Sequence, residues 1–175
     1  MSVRIATPDD ADAIERVRTD TWRAAYHGLL PARVLDRLGY DGTRRRQTME
    51  MMPRDRFVLV AEHDGEIVGF VNGGPSRVAD ASHTGEIYAI YVLPSHQSHG
   101  HGSALLRAGA RELLARGSRG MLIWVLRENL PSRRFYERMG GRHLRDRDED
   151  REIEGVIVTE AGYAWDDVTP LATRA

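Results

Sequence analysis

The segment from Gly85 to Arg116, which reads GEIYAIYVLPSHQSHGHGSALLRAGARELLAR, constrains the fold more than any other part of the chain. Its first part, from Ile87 to Leu93, is apolar at consecutive positions, which is typical of a strand buried on both faces of a sheet. Pro94 ends this strand, because proline has no N–H to donate to a sheet ladder. Aliphatic residues at helical spacing follow a glycine-containing turn. The segment therefore predicts a strand, a turn and a helix in succession.

The turn carries the pattern Q-x-x-G-x-G, formed by Gln97, Gly100 and Gly102. Unpaired N–H groups and the helix dipole make the first turn of a helix a favourable place for an anion. The dinucleotide-binding fingerprint would need G-x-G-x-x-G, and a P-loop would need a lysine, which this chain lacks. The sequence thus predicts an anion cradle that belongs to neither of these classes.

Composition excludes several kinds of chemistry. The chain has no cysteine, so disulfides, cysteine nucleophiles and thiolate metal sites are ruled out. All 25 basic residues are arginine, so no lysine can act as a base or form a Schiff base. A formal net charge of −1 gives no field that would attract nucleic acid or a membrane surface, and we expect neither partner.

Length and the N-terminal sequence suggest one soluble unit. A chain of 175 residues, 41% of them hydrophobic, is long enough to bury one core, and we expect a single domain over residues 1–175. The start, MSVRIATPDD, has no apolar region of the kind found in signal peptides. No apolar run approaches the roughly 18 residues of a membrane span. We therefore expect a cytoplasmic protein.

Apolar periodicity and turn signals predict the remaining elements. Before the central segment we predict a strand at Val3–Ile5, then one helix that begins after Thr7 and two more over 32–38 and 43–52. A hairpin follows, in which 57–61 pairs with 67–71 around Asp64-Gly65. The Gly-Pro-containing run 72–75 closes this hairpin, and 76–84 is predicted as a loop. After the central segment we predict a strand over 121–126, a short helix after Asn129 ended by Gly140-Gly141, a solvated, charged edge over 142–152 and a last strand over 155–165. This order implies an α/β fold, a mixed sheet with helices on both faces.

A second motif makes a family resemblance specific. Residues 129–140, NLPSRRFYERMG, have the pattern N-x-x-[SA]-x-x-F-Y-x-x-x-G. Together with E-I-x-x-I-x-V and Q-x-x-G-x-G upstream, this region resembles the acetyl-CoA-binding motifs of the GNAT (GCN5-related) N-acetyltransferase superfamily. The predicted order of elements is also similar to the whole GNAT fold. The resemblance implies a mixed, mostly antiparallel sheet of about six to seven strands and acetyl-CoA (CoA) as the cofactor.

In that family the turn after the fourth strand holds the CoA pyrophosphate, and glycine lets the backbone approach closely. The resemblance thus assigns to the cofactor Gln97, Ser98, His99, Gly100, His101, Gly102 and Ser103. It also implies that the main chain of Val92 and Leu93 pairs with the pantetheine arm like an added strand. Asn129 and Ser132 are expected to bond the cofactor, to cap their helix, or both.

Histidines in and beside the same turn, at positions 96, 99 and 101, raise the question of a metal. The sequence shows no partners that would orient such ligands. A partly protonated imidazole also favours a bound phosphate. We therefore predict no metal here.

Two residues are candidates for catalysis. The family places its general acid at the tyrosine of the F-Y pair, here Tyr136, where a phenol can protonate the leaving CoA thiolate, a contribution of roughly 10²–10⁴-fold. The alternative is a tyrosine that only packs, like Phe135. Glu86 is the candidate base, because a buried carboxylate binds a proton more readily. The alternative is a strand-end glutamate that faces solvent.

Substrate contacts are predicted from strand alternation for Tyr88 and from the resemblance for Tyr26, which lies where the family's first two helices wall the acceptor site. Strict alternation would place Glu86, Tyr88, Ile90 and Val92 on one face of the strand, so Tyr88 is expected to line the same pocket as Glu86. Tyr26 is a candidate for the acceptor pocket, whereas Trp22 on the same helix is expected in the core.

The resemblance implies an acetyl-CoA-dependent N-acetyltransferase that moves the acetyl group to a primary amine, by direct attack in a ternary complex. The acceptor would be a small-molecule or peptide amine, and family habit makes a homodimer possible. The alternative is a non-catalytic, acyl-CoA-binding regulatory domain on the same fold.

Overall fold

The computed structural model describes residues 1–147, 152–153 and 155–174. The strands are β1 (Ser2–Ile5), β2 (Phe57–His63), β3 (Glu66–Pro75), β4 (Gly85–Val92), β5 (Met121–Leu126), β6 (Arg142–Arg147), β7 (Glu152–Ile153), β8 (Val156–Ile157) and β9 (Glu160–Trp165). The helices are α1 (Ala11–Ala25), α2 (Ala32–Asp36), α3 (Thr43–Glu50), α4 (His101–Ala115), α5 (Leu130–Arg138) and α6 (Thr169–Thr173). Short 3-10 turns precede α1 and α4, at Pro8–Asp10 and Pro94–His96.

Seven strands form one sheet in the order β1-β2-β3-β4-β5-β9-β6, and β7 and β8 form a separate two-stranded ladder. Neighbours in the large sheet are antiparallel, except that β4 and β5 are parallel, as the α4 crossover between them requires. The predicted fold class, a mixed and mostly antiparallel sheet, is confirmed.

Helices cover both faces of the sheet, as predicted. On one face α4 crosses closely at Gly109, where an added Cβ would lie 2.9 Å from the Cδ1 atom of Ile87 and 3.5 Å from the Cγ2 atom of Val71. On the other face the ring of Phe70 lies 5.5 Å from that of Tyr91 and under the guanidinium of Arg45 in α3. The main hydrophobic cluster includes buried residues of α4 on one side of the sheet and of α1 and α3 on the other.

A β-bulge interrupts β4 at Tyr88. Ile87 is opposite Gly73 and Ala89 is opposite Asn72, so Tyr88 has no partner in β3. As a result Ile87 and Val92 both face α4, which strict alternation would forbid. The prediction that Glu86, Tyr88, Ile90 and Val92 share one face is therefore wrong.

The bulge coincides with the end of the pairing between β4 and β5. These strands pair only over 85–87 and 121–123. From Tyr88 to Val92, β4 has no strand partner on this side among the described residues, and a gap opens between the carboxyl ends of the two strands.

Most predicted boundaries are confirmed, and the exceptions have local causes. The Asp64-Gly65 turn has φ of 51° and 82°, as a two-residue hairpin requires, and 76–84 contains no helix or strand. By contrast, β3 continues through the glycines of the predicted closing run to Pro75. Helices α2 and α3 end at Asp36 and Glu50, two residues earlier than predicted. Strand β9 begins at Glu160 and not at 155, because Val156–Ile157 pairs with β7. The predicted charged edge is confirmed for β6, while residues 148–151 lie outside the described residues. None of the described helices is long and apolar enough to cross a membrane.

Gly120 provides a test of how β5 is fixed beside the loop 76–84. Its carbonyl accepts the N–H of Gly85 at 3.0 Å, and an added Cβ would lie 1.9 Å from the carbonyl oxygen of Ser82. We expect Gly120→Ala to lower the free energy of unfolding by about 1–3 kcal/mol, measured by urea denaturation. At Gly39 an added Cβ meets no atom within 4 Å, so Gly39→Ala should stay within about 0.5 kcal/mol of the parent. Equal effects of the two substitutions would contradict this packing.

Candidate active site

The turn between β4 and α4 presents a row of unused backbone donors. In the part of the chain that the structure describes, no acceptor bonds the N–H groups of residues 98–103, and the first bond of α4 runs from Ala104 N–H to the Gly100 carbonyl at 3.0 Å. Gly100 has φ of 86° and Ser98 has φ of 64°, both in the left-handed region that turns successive amides toward one side. This arrangement is suited to an anion with several oxygens.

Gln97 and the end of β4 are tied to each other. The Gln97 Nε2 atom donates to the Val92 carbonyl at 3.0 Å, and the Thr21 hydroxyl donates to the same oxygen at 3.2 Å. The side chain of Gln97 therefore positions the turn. Leu93 donates its N–H to Val68 and accepts from His96 N–H, both at 2.8 Å. By the antiparallel alternation, the N–H of Val92 points away from β3 and toward the gap, which leaves it as the main-chain donor for an added strand.

Three histidines cluster beside this turn. The rings of His63, His96 and His101 have centroids 5.3–6.0 Å apart, while His99 is exposed. The Nδ1 atoms of His63 and His101 are buried and have no hydrogen-bond partner in the described part. Burial, and then the neighbouring imidazoles, lower the pKa of His101. His63 comes from the end of β2, and no motif in the sequence associates it with the turn.

No group of three histidine and carboxylate side chains in the described residues is arranged to hold a metal ion.

Helix α5 carries Tyr136 toward the same gap. The Asn129 Oδ1 atom accepts the N–H of Ser132 at 3.2 Å, so Asn129 caps the helix, one of its two predicted roles. At the other end Gly140 has φ of 90°, and Gly141 N–H bonds the Tyr136 carbonyl at 2.9 Å. Caps at both ends thus fix the rotation of a nine-residue helix.

Tyr136 is only 5% exposed, and its ring lies 5.8 Å from that of Tyr163 and 6.4 Å from that of Trp165. Its hydroxyl forms no hydrogen bond within the described residues. Burial, assisted by nearby Tyr91, raises the pKa of Tyr136 well above the usual value for a phenol. The neighbouring Phe135 lies 3.5 Å from where a Cβ of Gly102 would be, so the helix of this phenol packs directly on the anion cradle.

Glu86 is fully buried, so the solvent-facing alternative is wrong, but its carboxylate is already paired. It accepts the backbone N–H of Arg77 at 2.8 Å, the Nε of Arg77 at 3.0 Å and a further bond from Nη2. Tyr88 lies under the guanidinium of Arg77, 4.6 Å from the ring centre, and donates to the Pro75 carbonyl at 2.6 Å. Glu86 and Tyr88 are therefore brought together, around an arginine that the sequence did not indicate.

The opposite face of the gap is lined by aromatic residues. Tyr26 is 8% exposed, and its ring stands perpendicular to that of Trp22 at 5.0 Å. Burial, followed by the effect of Tyr91, raises the pKa of Tyr26, and burial raises that of Tyr91. Trp22 packs on the smaller apolar cluster as predicted, yet its Nε1 is buried without a partner in the described part. Trp22 also lines a groove of about 280 Å³, together with Arg18, Val34, Arg37, Leu38, Glu152 and Ile153.

Glu160 is a buried carboxylate that the sequence analysis missed. It is 7% exposed at the start of β9 and lies opposite Leu126, the last residue of β5. The Nε and Nη2 atoms of Arg147 both donate to its Oε2, at 2.9 and 2.5 Å. In the structure Glu160 opens an apolar strand, as Glu86 nearly does, but the predicted strand over 155–165 placed Glu160 in its interior and so hid this likeness.

The Arg77–Glu86 pair can be tested by a double-mutant cycle. Arg77→Met leaves the buried carboxylate with only the backbone N–H of residue 77 as a donor, and we expect the free energy of unfolding to fall by about 2–3 kcal/mol. Adding Glu86→Gln should restore most of that loss. The pair of Arg119 with Asp167 has side chains that are 73% and 43% exposed, so Arg119→Met should cost less than about 1 kcal/mol. A loss at Arg77 no larger than at Arg119 would show that the pair is not effectively buried.

Comparisons with known proteins agree with this geometry. The sequence pattern of the acetyltransferase (GNAT) family matches residues 14–141. The uncharacterized N-acetyltransferase YuaI of Bacillus subtilis is 35% identical over 174 residues, which cover 99% of this chain and 97% of YuaI. The ribosomal-protein-alanine N-acetyltransferase of Brucella melitensis has a similar fold, with a TM-score of 0.75 at 23% identity over 94% of this chain and 99% of that one. The structure of yncA from Salmonella typhimurium with its cofactor acetyl-CoA gives 0.74 at 24% identity, covering 94% and 92%. The chain therefore belongs to the acetyltransferase (GNAT) family.

Proposed function

We propose that this protein is an acetyl-CoA-dependent N-acetyltransferase that acetylates a primary amine by direct attack in a ternary complex. The observation that carries the proposal is the gap between β4 and β5. Within the described residues, it has six unused backbone N–H groups at its mouth, from residues 98–103, and beside it a buried phenol, Tyr136, that makes no hydrogen bond there. A diphosphate and a leaving thiolate are the two anionic groups that such an arrangement would serve.

The chain's residues fit the proposed cofactor. The amides of 98–103 would bind the diphosphate, and the N–H of Val92 would pair with the pantetheine arm. Asn129 and Ser132 bond each other in α5, so any role toward the cofactor is additional. When bound, acetyl-CoA supplies the acetyl group as an activated thioester. The acetyl-CoA in the yncA structure lends support through the shared fold.

Proton movement is the task of the side chains. Acetyl transfer forms an N–C bond and breaks a C–S bond, so the amine loses a proton and the sulfur gains one. Tyr136 is protonated at neutral pH, as an ordinary phenol already is, and burial raises its pKa further; its hydroxyl can donate that proton to the sulfur. The chain contains no cysteine to carry the acetyl group, which favours direct transfer.

Glu86 remains the proposed base for the amine proton. Arg77 occupies its carboxylate, so Glu86 can act only when that guanidinium, which is 45% exposed, moves aside.

Thiol release from acetyl-CoA, measured over a panel of primary amines, tests the proposed activity. Turnover with at least one amine supports it. Binding of CoA without turnover would favour the regulatory alternative, and failure to bind CoA would contradict both.

For an accepted amine, we expect Tyr136→Phe to lower kcat by roughly 10²-fold or more with little change in CoA affinity, because the proton donor is lost while the ring still packs. Tyr40→Phe, at an exposed phenol bonded to Asp20 and Arg23, is the matched control and should leave kcat unchanged. Because the pKa of Tyr136 is raised, its ionisation should cause no loss of activity up to a pH of about 10. Unchanged turnover in Tyr136→Phe would remove the acid assignment.

The histidine cluster predicts a pH dependence of cofactor binding. The lowered pKa of His101 keeps it neutral near pH 7, and a nearby diphosphate would favour its protonated form. CoA should then bind several-fold more tightly as the pH falls from about 8 to about 6, with uptake of a proton. Calorimetry in buffers of different ionisation enthalpy measures this uptake. His63→Gln removes one of the three imidazoles and should reduce the pH dependence of CoA binding. If the parent and the variant show identical pH profiles, the histidine cluster does not act on the cofactor.

A further inference from the structure

The hydroxyl of Tyr163 connects the helix of the proposed acid to the sheet. Tyr163 is fully buried in β9 and belongs to the same apolar cluster as Tyr136 and Trp165. Its hydroxyl donates to the Oε1 atom of Glu137 at 2.8 Å and accepts from the Nε atom of Arg133 at 3.0 Å. Arg133 and Glu137 are four residues apart and therefore lie on one face of α5. A single phenol of the sheet thus binds two successive turns of this helix.

The connection lies directly beside the acid. Tyr136 stands between Arg133 and Glu137 in the sequence of α5, and its ring is 5.8 Å from that of Tyr163. Within the described residues the hydroxyl of Tyr136 makes no hydrogen bond. No partner of its own therefore fixes the proton that it would donate. The position of that proton depends on the packing of the ring and on the position of the helix.

Arg133 extends the connection to the wall of the gap. Its Nη1 atom donates to the carbonyl of Arg127 at 2.9 Å, one residue beyond the end of β5. The end of β5 borders the gap in which acetyl transfer is proposed to occur. The two caps of α5 are bonds between residues close together in the chain, whereas the bonds of Tyr163 and Arg133 join the helix to the sheet.

Proton transfer depends steeply on position. The donor and acceptor atoms must come within about 2.6–3.2 Å of each other. A displacement of about 1 Å in a catalytic group can lower the rate by up to roughly 10²-fold. Restraints that hold α5 against the sheet are therefore expected to affect catalysis.

We propose that Tyr163 is a positioning residue for the acid. Through Arg133 and Glu137 it holds α5 so that the hydroxyl of Tyr136 stays within reach of the leaving sulfur. Tyr163 touches neither substrate nor cofactor in this role. The inference rests on the proposed function, because it concerns the acid of the same reaction.

Turnover of variants, with an amine that the parent protein accepts, tests the proposal. Tyr163→Phe keeps the ring and removes both hydrogen bonds, so we expect kcat to fall about tenfold while KM for acetyl-CoA stays within about twofold. Glu137→Leu should lower kcat severalfold, whereas Glu137→Gln keeps an oxygen that can accept the bond and should retain most of the rate. His143→Gln is the matched control, because His143 lies 5.6 Å from the same ring but bonds Asp146, and its kcat should not change.

A double-mutant cycle on kcat separates positioning of the acid from a general structural role. If Tyr163 acts through the phenol of Tyr136, adding Tyr163→Phe to Tyr136→Phe should change kcat by less than about twofold, because no donated proton remains to be positioned. The same loss in both backgrounds would show that Tyr163 is only structural.

Hydrogen exchange of the amides of 133–139, measured without cofactor or amine, gives a comparison that does not depend on turnover. Tyr163→Phe and Glu137→Leu should raise the exchange rates severalfold, while Glu137→Gln and His143→Gln should not. If the parent protein acetylates no amine, the proposed function fails, and the exchange rates still decide whether Tyr163 holds the helix. If Tyr163→Phe does not fold, the two variants of Glu137 decide, because that side chain is exposed.

Three results would overturn the assignment: an unchanged kcat in Tyr163→Phe, an equal loss of kcat in the Tyr136→Phe background, or exchange rates in α5 that are the same in the parent, Tyr163→Phe and Glu137→Leu.

Discussion

The parallel pairing of β4 with β5 stops after Ile87, and the rest of the site depends on that interruption. A bulge at Tyr88 adds one residue to β4, which changes the face that each later side chain occupies and takes the strand away from β5. The gap that results exposes the main chain of β4 as far as Val92. A strand in a continuous ladder would have these groups bonded to its neighbour.

Polar groups of different charge lie at different positions along this gap. Unpaired amides at the start of α4 provide partial positive charge at the mouth, and His63, His96 and His101 lie beside them. A buried phenol follows. Of the two buried carboxylates of these strands, Glu86 is bound by Arg77 and Glu160 by Arg147. Such pairing lets a carboxylate remain charged inside the protein, because an isolated buried charge would be too costly. The fold thus places several ionisable groups in one region of the protein, and the arginines offset the negative charge of the carboxylates.

Glu86 and Glu160 show the limit of reasoning from pattern. In the structure both stand at the start of an apolar strand and both are buried, yet the sequence analysis singled out only Glu86. They differ in position relative to the gap and in the arginine that binds each one. Arg77 lies nine residues from Glu86, and Arg147 lies 13 residues from Glu160, and neither separation follows a local rule that would have revealed the pairing.

The sequence by itself determined most of the elements and their order, the glycine turn, the capped helix that carries Tyr136 and the family, because these depend on residues close together in the chain; it did not predict the β7–β8 ladder or α6. Only the tertiary structure decided the bulge at Tyr88, the arrival of His63 beside the turn, the meeting of Tyr26 with Tyr91, and the burial of Glu160. Each of these joins strands or helices that are distant in sequence. Their mutual position is fixed by how apolar faces pack across the sheet, a property of the whole core that no short pattern encodes.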